Sequence, residues 1–428
     1  MLPMNPELIA MMAMMALFAI AVFVGKFPIG ISLMFASIAG ALFTGYGIPL
    51  RHLVEGSISY LDPILIIVTA MIFMEIIKET GALGEASRLI VHYLHPYPFM
   101  FFVAVTLFIM LPGMITGLST ASVLTTGAVV APALIAYGIP RLKTGSIIAM
   151  AALFGMIAPP INVPAMIIGG GVDMPYIGFE LPLLFATLPL AFFTTFSIAK
   201  PHTSKGKRKD IGAKFTKLST EIPRFRLFFP VLVLVILMAL SRIIPNDFTS
   251  MGLPLIFVIS SLFAFRSGRS FNYWKVAQSA VNKAMPVMGI LVGIGMFIQI
   301  MSLTGVRGFL IVNIVQIPSY WLYLAIAVSL PLFGAISSYG ASYVLGVPFL
   351  LALLGRNEIM VASAITLIAS LGDMMPPTAL AGIFAAQVVD EPNYFKILRI
   401  CVPYIIITAI YGVMMIIGAN WLAKYLIV

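Results

Sequence analysis

The sequence predicts an all-α polytopic membrane protein built from two related halves. Hydrophobic residues make up 61% of its 428 residues and charged residues only 9%, and the mean hydropathy is +1.09. A soluble domain carries roughly 25% charged residues, so a soluble fold is excluded. Two proline pairs, Pro159-Pro160 and Pro376-Pro377, interrupt apolar runs and lie 217 residues apart. At about 20 residues per membrane helix, we expect roughly ten to twelve membrane segments.

The repeat includes further matching residues in each half. The same offset of 217 relates Gly155 to Gly372, Gly117 to Gly334, and Val172-Asp173-x-Pro175 to Val389-Asp390-x-Pro392. An offset of 224 relates the five residues from Thr80 to those from Thr304. These spacings divide the chain into a first repeat at 1–199, a basic linker at 200–226 and a second repeat at 227–428. Duplicated breaks of this kind are typical of membrane transporters.

Each repeat is expected to begin with two plain hydrophobic helices, near 7–24 and 28–47 in the first and near 227–243 and 251–265 in the second. An amphipathic stretch follows in each, at 51–60 and 271–283, and is predicted to lie along the membrane interface. A long apolar helix comes next. Glu75 and Lys78, one turn apart near the end of the first long helix, are expected to form a structural ion pair.

The basic residues indicate how the chain lies in the membrane. Nine Lys or Arg residues fall between Lys200 and Arg226, and the positive-inside rule places this loop in the cytoplasm. With an odd number of crossings before it, the N-terminus lies outside and the second repeat is inverted relative to the first. Contact of the basic loops with anionic lipid explains the net charge of +10 better than binding to nucleic acid does.

Two small, hydroxyl-rich stretches predict re-entrant helical hairpins near 105–135 and 325–352. Each contains glycines and is followed by a proline, Pro132 or Pro348. The backbone carbonyls at a hairpin tip are tolerated at membrane depth only inside protein or beside a cavity. Close helix packing through small residues is the alternative. The candidate tip residues are Gly117, Ser119, Thr120 and Ser122, then Gly334, Ser337, Ser338 and Ser342.

The two proline pairs predict discontinuous helices near 155–162 and 372–378. Each pair removes two backbone donors and frees carbonyl oxygens one turn earlier. Oxygen ligands suit a hard cation such as Na⁺, and the helix N-termini after the breaks suit a carboxylate. A proline kink without function is the alternative. The candidate residues are Ala158, Pro159, Pro160 and Asn162, then Gly372, Asp373, Met375, Pro376, Pro377 and Thr378.

Asp373 is the most informative single residue. An ionisable side chain inside an apolar span is costly and marks a candidate functional site. Asp373 is expected either to neutralise a bound Na⁺ or to carry a proton. The sequence also argues against enzymes. It has no phosphate-binding loop for ATP, and its one cysteine, Cys401, excludes a disulfide framework and a thiolate metal site.

These motifs resemble the large membrane subunit of tripartite ATP-independent periplasmic (TRAP) transporters, the DctM-like family, over nearly the full length. The resemblance rests on Gly117-Leu-Ser-Thr-Ala-Ser122, the break at Pro159-Pro160, the basic linker, and Gly372-Asp-Met-Met-Pro-Pro377. It implies an elevator-type transporter of the bacterial inner membrane, which imports a small organic anion together with Na⁺. It also implies a periplasmic substrate-binding protein and a small four-helix membrane subunit, which is expected to be a separate chain.

By motif, the resemblance implies a Na⁺ site formed by Ser119, Ser122, Ser337, Asp373 and backbone carbonyls, with no other cofactor. Carbonyls near Ala158 and Met375 would complete the ion's coordination. The family commonly has a serine after the first proline pair, whereas Ile161-Asn162 follows it here, so a ligand or substrate contact is expected to differ. The alternatives are a stand-alone Na⁺/dicarboxylate symporter or exchanger without a binding protein, or a channel or non-transporting scaffold.

Overall fold

The computed structural model describes residues 5–200, 224–243 and 252–427. The predicted linker at 200–226 therefore lies outside the described residues, apart from Lys200 and the start of one helix at Arg224. The described residues form helices without any β-strand, and one isolated bridge joins Leu354 to Arg356. An all-helical fold is thus confirmed.

The first repeat contains eleven described α-helices. In chain order they are α1 (Pro6–Ala19, extended by a π-helical turn, Ile20–Val24), α2 (Ile29–Phe43), α3 (Leu50–Ile58), α4 (Leu61–Glu79), α5 (Ala82–Leu94), α6 (Pro98–Thr116), α7 (Ser119–Ser122), α8 (Ala128–Ala136), α9 (Arg141–Ile157), α10 (Val163–Gly171) and α11 (Glu180–Ala199). A π-helical turn, Val123–Gly127, joins α7 to α8.

The second repeat, as far as the structure describes it, contains another eleven. They are α12 (Arg224–Ile243), α13 (Leu253–Leu262), α14 (Tyr273–Leu303), α15 (Val306–Val315), α16 (Ser319–Gly334), α17 (Ser338–Val344), α18 (Gly346–Ala352), α19 (Glu358–Ser370), α20 (Leu380–Val388), α21 (Tyr394–Ile417) and α22 (Ala419–Leu426). Short 3₁₀ turns follow α13 and α19, at Phe263–Ser267 and Leu371–Met374.

The chain is a multi-pass membrane protein. Among the described residues, six helices are long and apolar enough to cross a membrane, or seven if α3 and α4, bent by 42°, count as one span. This is fewer than the ten to twelve segments expected from the sequence. The difference arises because several other apolar helices have only 10–17 residues, short of the roughly 20 that a membrane crossing needs.

The helix boundaries repeat at the two offsets seen in the sequence. An offset of 224 relates the first residues of α2 and α13, and an offset of 217 relates those of α9 and α19 and both ends of α10 and α20. Asp173 and Asp390 both have a φ of 56°. In the turns that contain them, Met174 N–H donates to the Gly169 carbonyl and Glu391 N–H to the Ala386 carbonyl, each at 2.9 Å.

The helices pack into two groups. In the peripheral group, α2, α3 and α4 of the first repeat pack against the long helix α14 of the second, and α13 packs on α4. In the central group, α9 packs against α6, α11, α20 and α21, while α19 packs against α16 and α21. Every residue from Thr144 to Ile157 in α9 is buried, so this helix forms the middle of the molecule.

One ion pair within the peripheral group differs from expectation. Glu75 Oε2 lies 2.7 Å from Nζ of Lys283 in α14, so the side chain joins the two repeats instead of pairing along its own helix with Lys78. Glu75 is buried while Lys283 is nearly half exposed. The sequence pattern could not indicate this partner, because it comes from the other repeat.

Glycines let α14 approach the first repeat at backbone distance. A Cβ on Gly295 would lie 2.0 Å from the carbonyl oxygen of Gly56, and one on Gly30 would lie 2.1 Å from that of Gly289. Small residues commonly allow such approaches between membrane helices. A side chain at Gly295 would therefore force α3 and α14 apart.

We predict that Gly295→Ala destabilises the protein, because overpacking costs about 1–3 kcal/mol. Thermal unfolding in detergent should show a lower apparent Tm. Gly289→Ala is the matched control in the same helix, since a Cβ there has no atom within 4 Å. It should be neutral or slightly stabilising, because alanine is the better helix former. Equal Tm values for the two variants would contradict the packing described.

Candidate functional site

The first hydroxyl-rich stretch forms a helical hairpin. Helix α6 ends at Thr116, the residue after it, Gly117, has a φ of 69°, and the next helical segment begins at Ser119. The two arms run antiparallel, because Gly113 N–H donates to Ser122 Oγ at 2.7 Å and Thr126 Oγ1 donates to the Ile109 carbonyl at 3.2 Å. Ser122 is therefore used inside the hairpin, where it joins the arms.

The second stretch forms a corresponding hairpin from α16 and α17, which pack on each other. Ser337 caps α17, since its Oγ accepts the Gly340 N–H at 3.2 Å. Ser342 Oγ donates to the Ser338 carbonyl one turn earlier, at 2.8 Å. Ser337 and Ser342 thus make local bonds, and Ser338 is the first residue of the helix.

Both predicted helix breaks are present. Helix α9 stops at Ile157 and α10 starts at Val163, while the turn after α19 stops at Met374 and α20 starts at Leu380. The Pro159-Pro160 and Pro376-Pro377 peptide bonds are cis.

Each break is joined to the hairpin of its own repeat. Ile161 N–H donates to the Met114 carbonyl at 3.2 Å. In the second repeat, the backbone N–H and the hydroxyl of Thr378 both donate to the Ala335 carbonyl, at 3.2 and 2.7 Å. The carbonyl of Met375 accepts the Ala379 N–H at 3.0 Å.

Glycine pairs set the distance between hairpin and break. A Cβ on Gly113 would lie 2.8 Å from the backbone of Gly155, and a Cβ on Gly372 would lie 2.0 Å from that of Gly334. The structural counterpart of Gly334 is therefore Gly113. The offset of 217 pairs Gly334 with Gly117 instead, because the repeat spacing shortens along the chain. Gly117 has a different role, because it is the C-cap of α6 and has a left-handed backbone conformation.

Asp373 is the point at which the two hairpin tips meet. Ser119 Oγ of the first tip donates to Asp373 Oδ2 at 2.6 Å, and Ser338 Oγ of the second tip donates to Oδ1 at 3.0 Å. The carboxylate is 5% exposed. Among the described residues, no basic side chain forms an ion pair with it. Its two hydroxyl partners come from opposite repeats, 254 and 35 residues away in sequence.

Tyr339 makes a second bridge between the tips. Its hydroxyl donates to the carbonyl of Gly117 at 2.9 Å, across 222 residues of sequence. Both groups are buried. This bond gives a partner to a carbonyl that the end of α6 would otherwise leave unpaired inside the protein.

A small cavity of about 30 Å³ lies beside Asp373, Ser119 and Ser338, which together we call the Asp373 cluster. That is enough space for a water molecule, which needs about 10–15 Å³ on the same measure. Its polar wall belongs to the central group, and its opposite wall is aliphatic and belongs to α2 and α14. The lining includes Ser119, Thr120, Ser337, Ser338, Asp373 and Thr378 on the first side and Ile29, Val287 and Ile290 on the second. None of the described lining residues is Lys, Arg or His.

Asn162 lies at the other break and is not among the residues lining this cavity. It is fully buried. Its Oδ1 accepts the Ala165 N–H, and its Nδ2 donates to the Ile157 carbonyl and to Thr366 Oγ1. Its backbone N–H donates to the Tyr176 hydroxyl. The structure therefore gathers the hairpin tips and the second break at one place, and leaves the first break separate.

Two contributors to the site, Tyr339 and Thr366, are not predicted from the sequence, and the role of a third is not resolved by it. Ser338 was a candidate, but its role as the Asp373 donor was not distinguished from that of Ser337. Tyr339 was overlooked, although one large aromatic residue among small residues at a hairpin tip is a usable signal. Thr366 carries no local signal, since its contact with Asn162 joins positions 204 residues apart.

Comparisons with known proteins agree with this architecture. The family model described as the DctM component of tripartite ATP-independent periplasmic transporters matches residues 11–421. The solved structure of the Alcanivorax borkumensis YdaH transporter, described as having an unusual topology, is similar with a TM-score of 0.61 and 15% identity, over 97% of this chain and 98% of that chain. At that identity the likeness concerns the fold. No curated protein matches the chain in sequence.

We predict that Tyr339→Phe lowers stability by about 1–3 kcal/mol, because the Gly117 carbonyl is left buried without a donor. Thermal unfolding in detergent measures the effect. Tyr394→Phe is the control, since within the described residues the buried Tyr394 hydroxyl has no hydrogen-bond partner. The control should keep or raise the Tm. A Tyr339→Phe variant as stable as the control would contradict the bridge between the tips.

Proposed function

We propose, since the chain belongs to the DctM family of tripartite ATP-independent periplasmic transporters, that it is the permease subunit of a Na⁺-coupled importer of a small organic anion. The family is one of transporter membrane components and not of enzymes. The proposal adds the coupling ion, a carboxylate substrate and an elevator movement of the central group against the peripheral group. Its main support is the Asp373 cluster.

A buried carboxylate favours a bound cation at this site. Removing a charge from water is expensive unless an opposite charge or several hydrogen bonds compensate it. Asp373 has two hydroxyl donors and, among the described residues, no ion pair. Hydroxyl and carboxylate oxygens are the ligands that a hard cation prefers. Na⁺ bound by Asp373 and oxygens of the tips, with Ser119 and Ser338 as the nearest hydroxyls, would neutralise the carboxylate.

The helix N-termini at the same place favour an anionic substrate for a separate reason. The helical segment Ser119–Ala136 and helix α20 both begin at residues that line it. Helix N-termini carry partial positive charge and unpaired N–H groups, and they bind carboxylates without a basic side chain. This accounts for recognition of an anion by a lining that lacks Lys, Arg and His among its described residues.

The elevator movement is supported by the packing of the helices into two groups and by the contacts of α15, which packs against α14 and α1 as well as against α18. Arg307, at the start of α15, donates through Nη2 to the carbonyl of Gly171 at the end of α10, at 2.6 Å. Its guanidinium also lies 5.8 Å from the ring centre of Tyr343 in the second hairpin. We expect these two contacts of Arg307 to change when the groups slide.

The remaining parts of the proposal follow from the family. A periplasmic binding protein would deliver the substrate, and a small four-helix subunit would accompany this chain in the bacterial inner membrane. The two repeats would be inverted relative to each other, and both hairpins would be re-entrant. The exposed apolar side chains on the membrane helices, such as Met414 and Ile410 in α21, suit contact with lipid or with such a subunit.

We predict that Asp373→Asn abolishes Na⁺ binding while preserving the fold. Asparagine keeps the size of the side chain but removes the charge, and a charged hydrogen-bonding partner contributes about 1.5–3 kcal/mol. Na⁺ should raise the Tm of the unaltered protein, by linkage, and should leave that of the variant unchanged. Uptake into proteoliposomes containing all three components should fall about a hundredfold, which corresponds to about 2.7 kcal/mol.

Asp390→Asn is the control, because Asp390 is exposed and asparagine tolerates its positive φ. It should behave like the unaltered protein. Full uptake without a Na⁺ gradient would reject the coupling proposed. Uptake by this chain alone would favour the stand-alone symporter or exchanger.

We predict that Arg307→Ala shifts the distance between the two helix groups. Spin labels on exposed positions Trp274 in α14 and Phe395 in α21, in a Cys401→Ser background, would report it by pulsed electron paramagnetic resonance. Arg356→Ala is the control, because Arg356 binds the Tyr323 hydroxyl and the Ile416 carbonyl, both within the central group. If Arg307→Ala, Arg356→Ala and the spin-labelled protein with both arginines gave the same distance distribution, the proposed role of Arg307 would be contradicted.

A further inference from the structure

The two helix breaks match in backbone and differ in one side chain. Helices α10 and α20 correspond residue for residue at an offset of 217. On that offset, the residue before the resumed helix is Asn162 in the first repeat and Ala379 in the second. Asn162 caps α10 through its side chain, whereas α20 begins without a side-chain cap.

The orientation of the Asn162 amide follows from its partners. The Ala165 N–H can only donate, so the atom 2.9 Å from it is the carbonyl oxygen of the side chain. The amide nitrogen then faces the Ile157 carbonyl at 2.9 Å and Thr366 Oγ1 at 3.2 Å. The Ile157 carbonyl belongs to the last residue of α9, one of the oxygens that a helix end leaves without an intrahelical partner.

Capping alone does not require this nitrogen. Serine, threonine and aspartate cap a helix through an oxygen as well as asparagine does. What asparagine adds is an N–H₂ group, with partial positive charge, between a backbone carbonyl and a hydroxyl in a fully buried position. Neutral oxygens arranged in this way are the surroundings that a small cation would take.

We propose that the Asn162 amide nitrogen occupies the place of a cation in the first break, so that the chain binds its coupling cation only at the second break, beside Asp373. This rests on the proposed Na⁺ coupling. The first break is closed by a donor that belongs to the protein, and the carbonyls near Ala158 are not part of an ion site. Among the described residues, no side-chain amide lines the cavity at the second break, and the Asp373 carboxylate there is neutralised by a cation from solution.

Binding of radioactive sodium to the full-length purified chain tests the assignment. The unaltered protein should bind about one Na⁺ per chain, with a Hill coefficient near one, and Asp373→Asn should bind none. Asn162→Ser keeps a capping oxygen and removes the nitrogen, so it should bind a second Na⁺. Asn162→Asp, which keeps the shape and adds a charge, provides a second variant if the serine protein does not fold.

Asn357→Ser is the matched control, because Asn357 caps α19 through the same side-chain oxygen, to the Met360 N–H. It should bind one Na⁺. Two Na⁺ per chain in the unaltered protein, with one retained in Asp373→Asn, would overturn this inference alone. A single Na⁺ in both folded Asn162 variants would overturn the role of the amide. An unaltered protein that binds no Na⁺ would instead overturn the proposed coupling, and this inference with it.

Discussion

The structure depends on a buried carboxylate held by two hydroxyls from opposite halves of the chain. Ser119 and Ser338 donate to the two oxygens of Asp373, and hydrogen bonds to a charged group contribute about 1.5–3 kcal/mol each. Neither hydroxyl can be lost without leaving charge unsolvated in the interior. The carboxylate therefore fixes the relative position of the two hairpin tips, and with it the shape of the cavity that they line.

This geometry is possible only because the backbones approach so closely. Gly372 precedes Asp373 and contacts Gly334 with no room for a Cβ, and Gly155 contacts the first hairpin in the same way through Met110 and Gly113. The glycines bring each hairpin onto its break, and the hydrogen bonds of Ile161 and Thr378 hold it there. Each repeat thus forms a hairpin-and-break unit, and the central group contains both units.

The sequence predicted local features well and long-range partners poorly. The proline pairs, the glycines at turns and the repeat offset can all be recognised directly in the sequence. The broken helices and the helical hairpins could therefore be predicted. The contacts of Asp373 with Ser119, of Tyr339 with Gly117 and of Glu75 with Lys283 could not, because each joins the two repeats. The spacing between equivalent residues also changes along the chain, from 224 to 217. A fixed offset of 217 therefore pairs Gly334 with Gly117 instead of with its structural counterpart, Gly113. Among the described residues, fewer helices have the length of a full crossing than the sequence predicts, because several apolar helices have only 10–17 residues.

The duplication is symmetric in backbone and asymmetric in charge. Ser119 of the first tip and Ser338 of the second both donate to Asp373. Met156 occupies the equivalent position in the first repeat and is fully buried. A second carboxylate there would bury a further charge and would repel the first in a medium of low dielectric. A single carboxylate that receives one hydroxyl from each repeat avoids this repulsion.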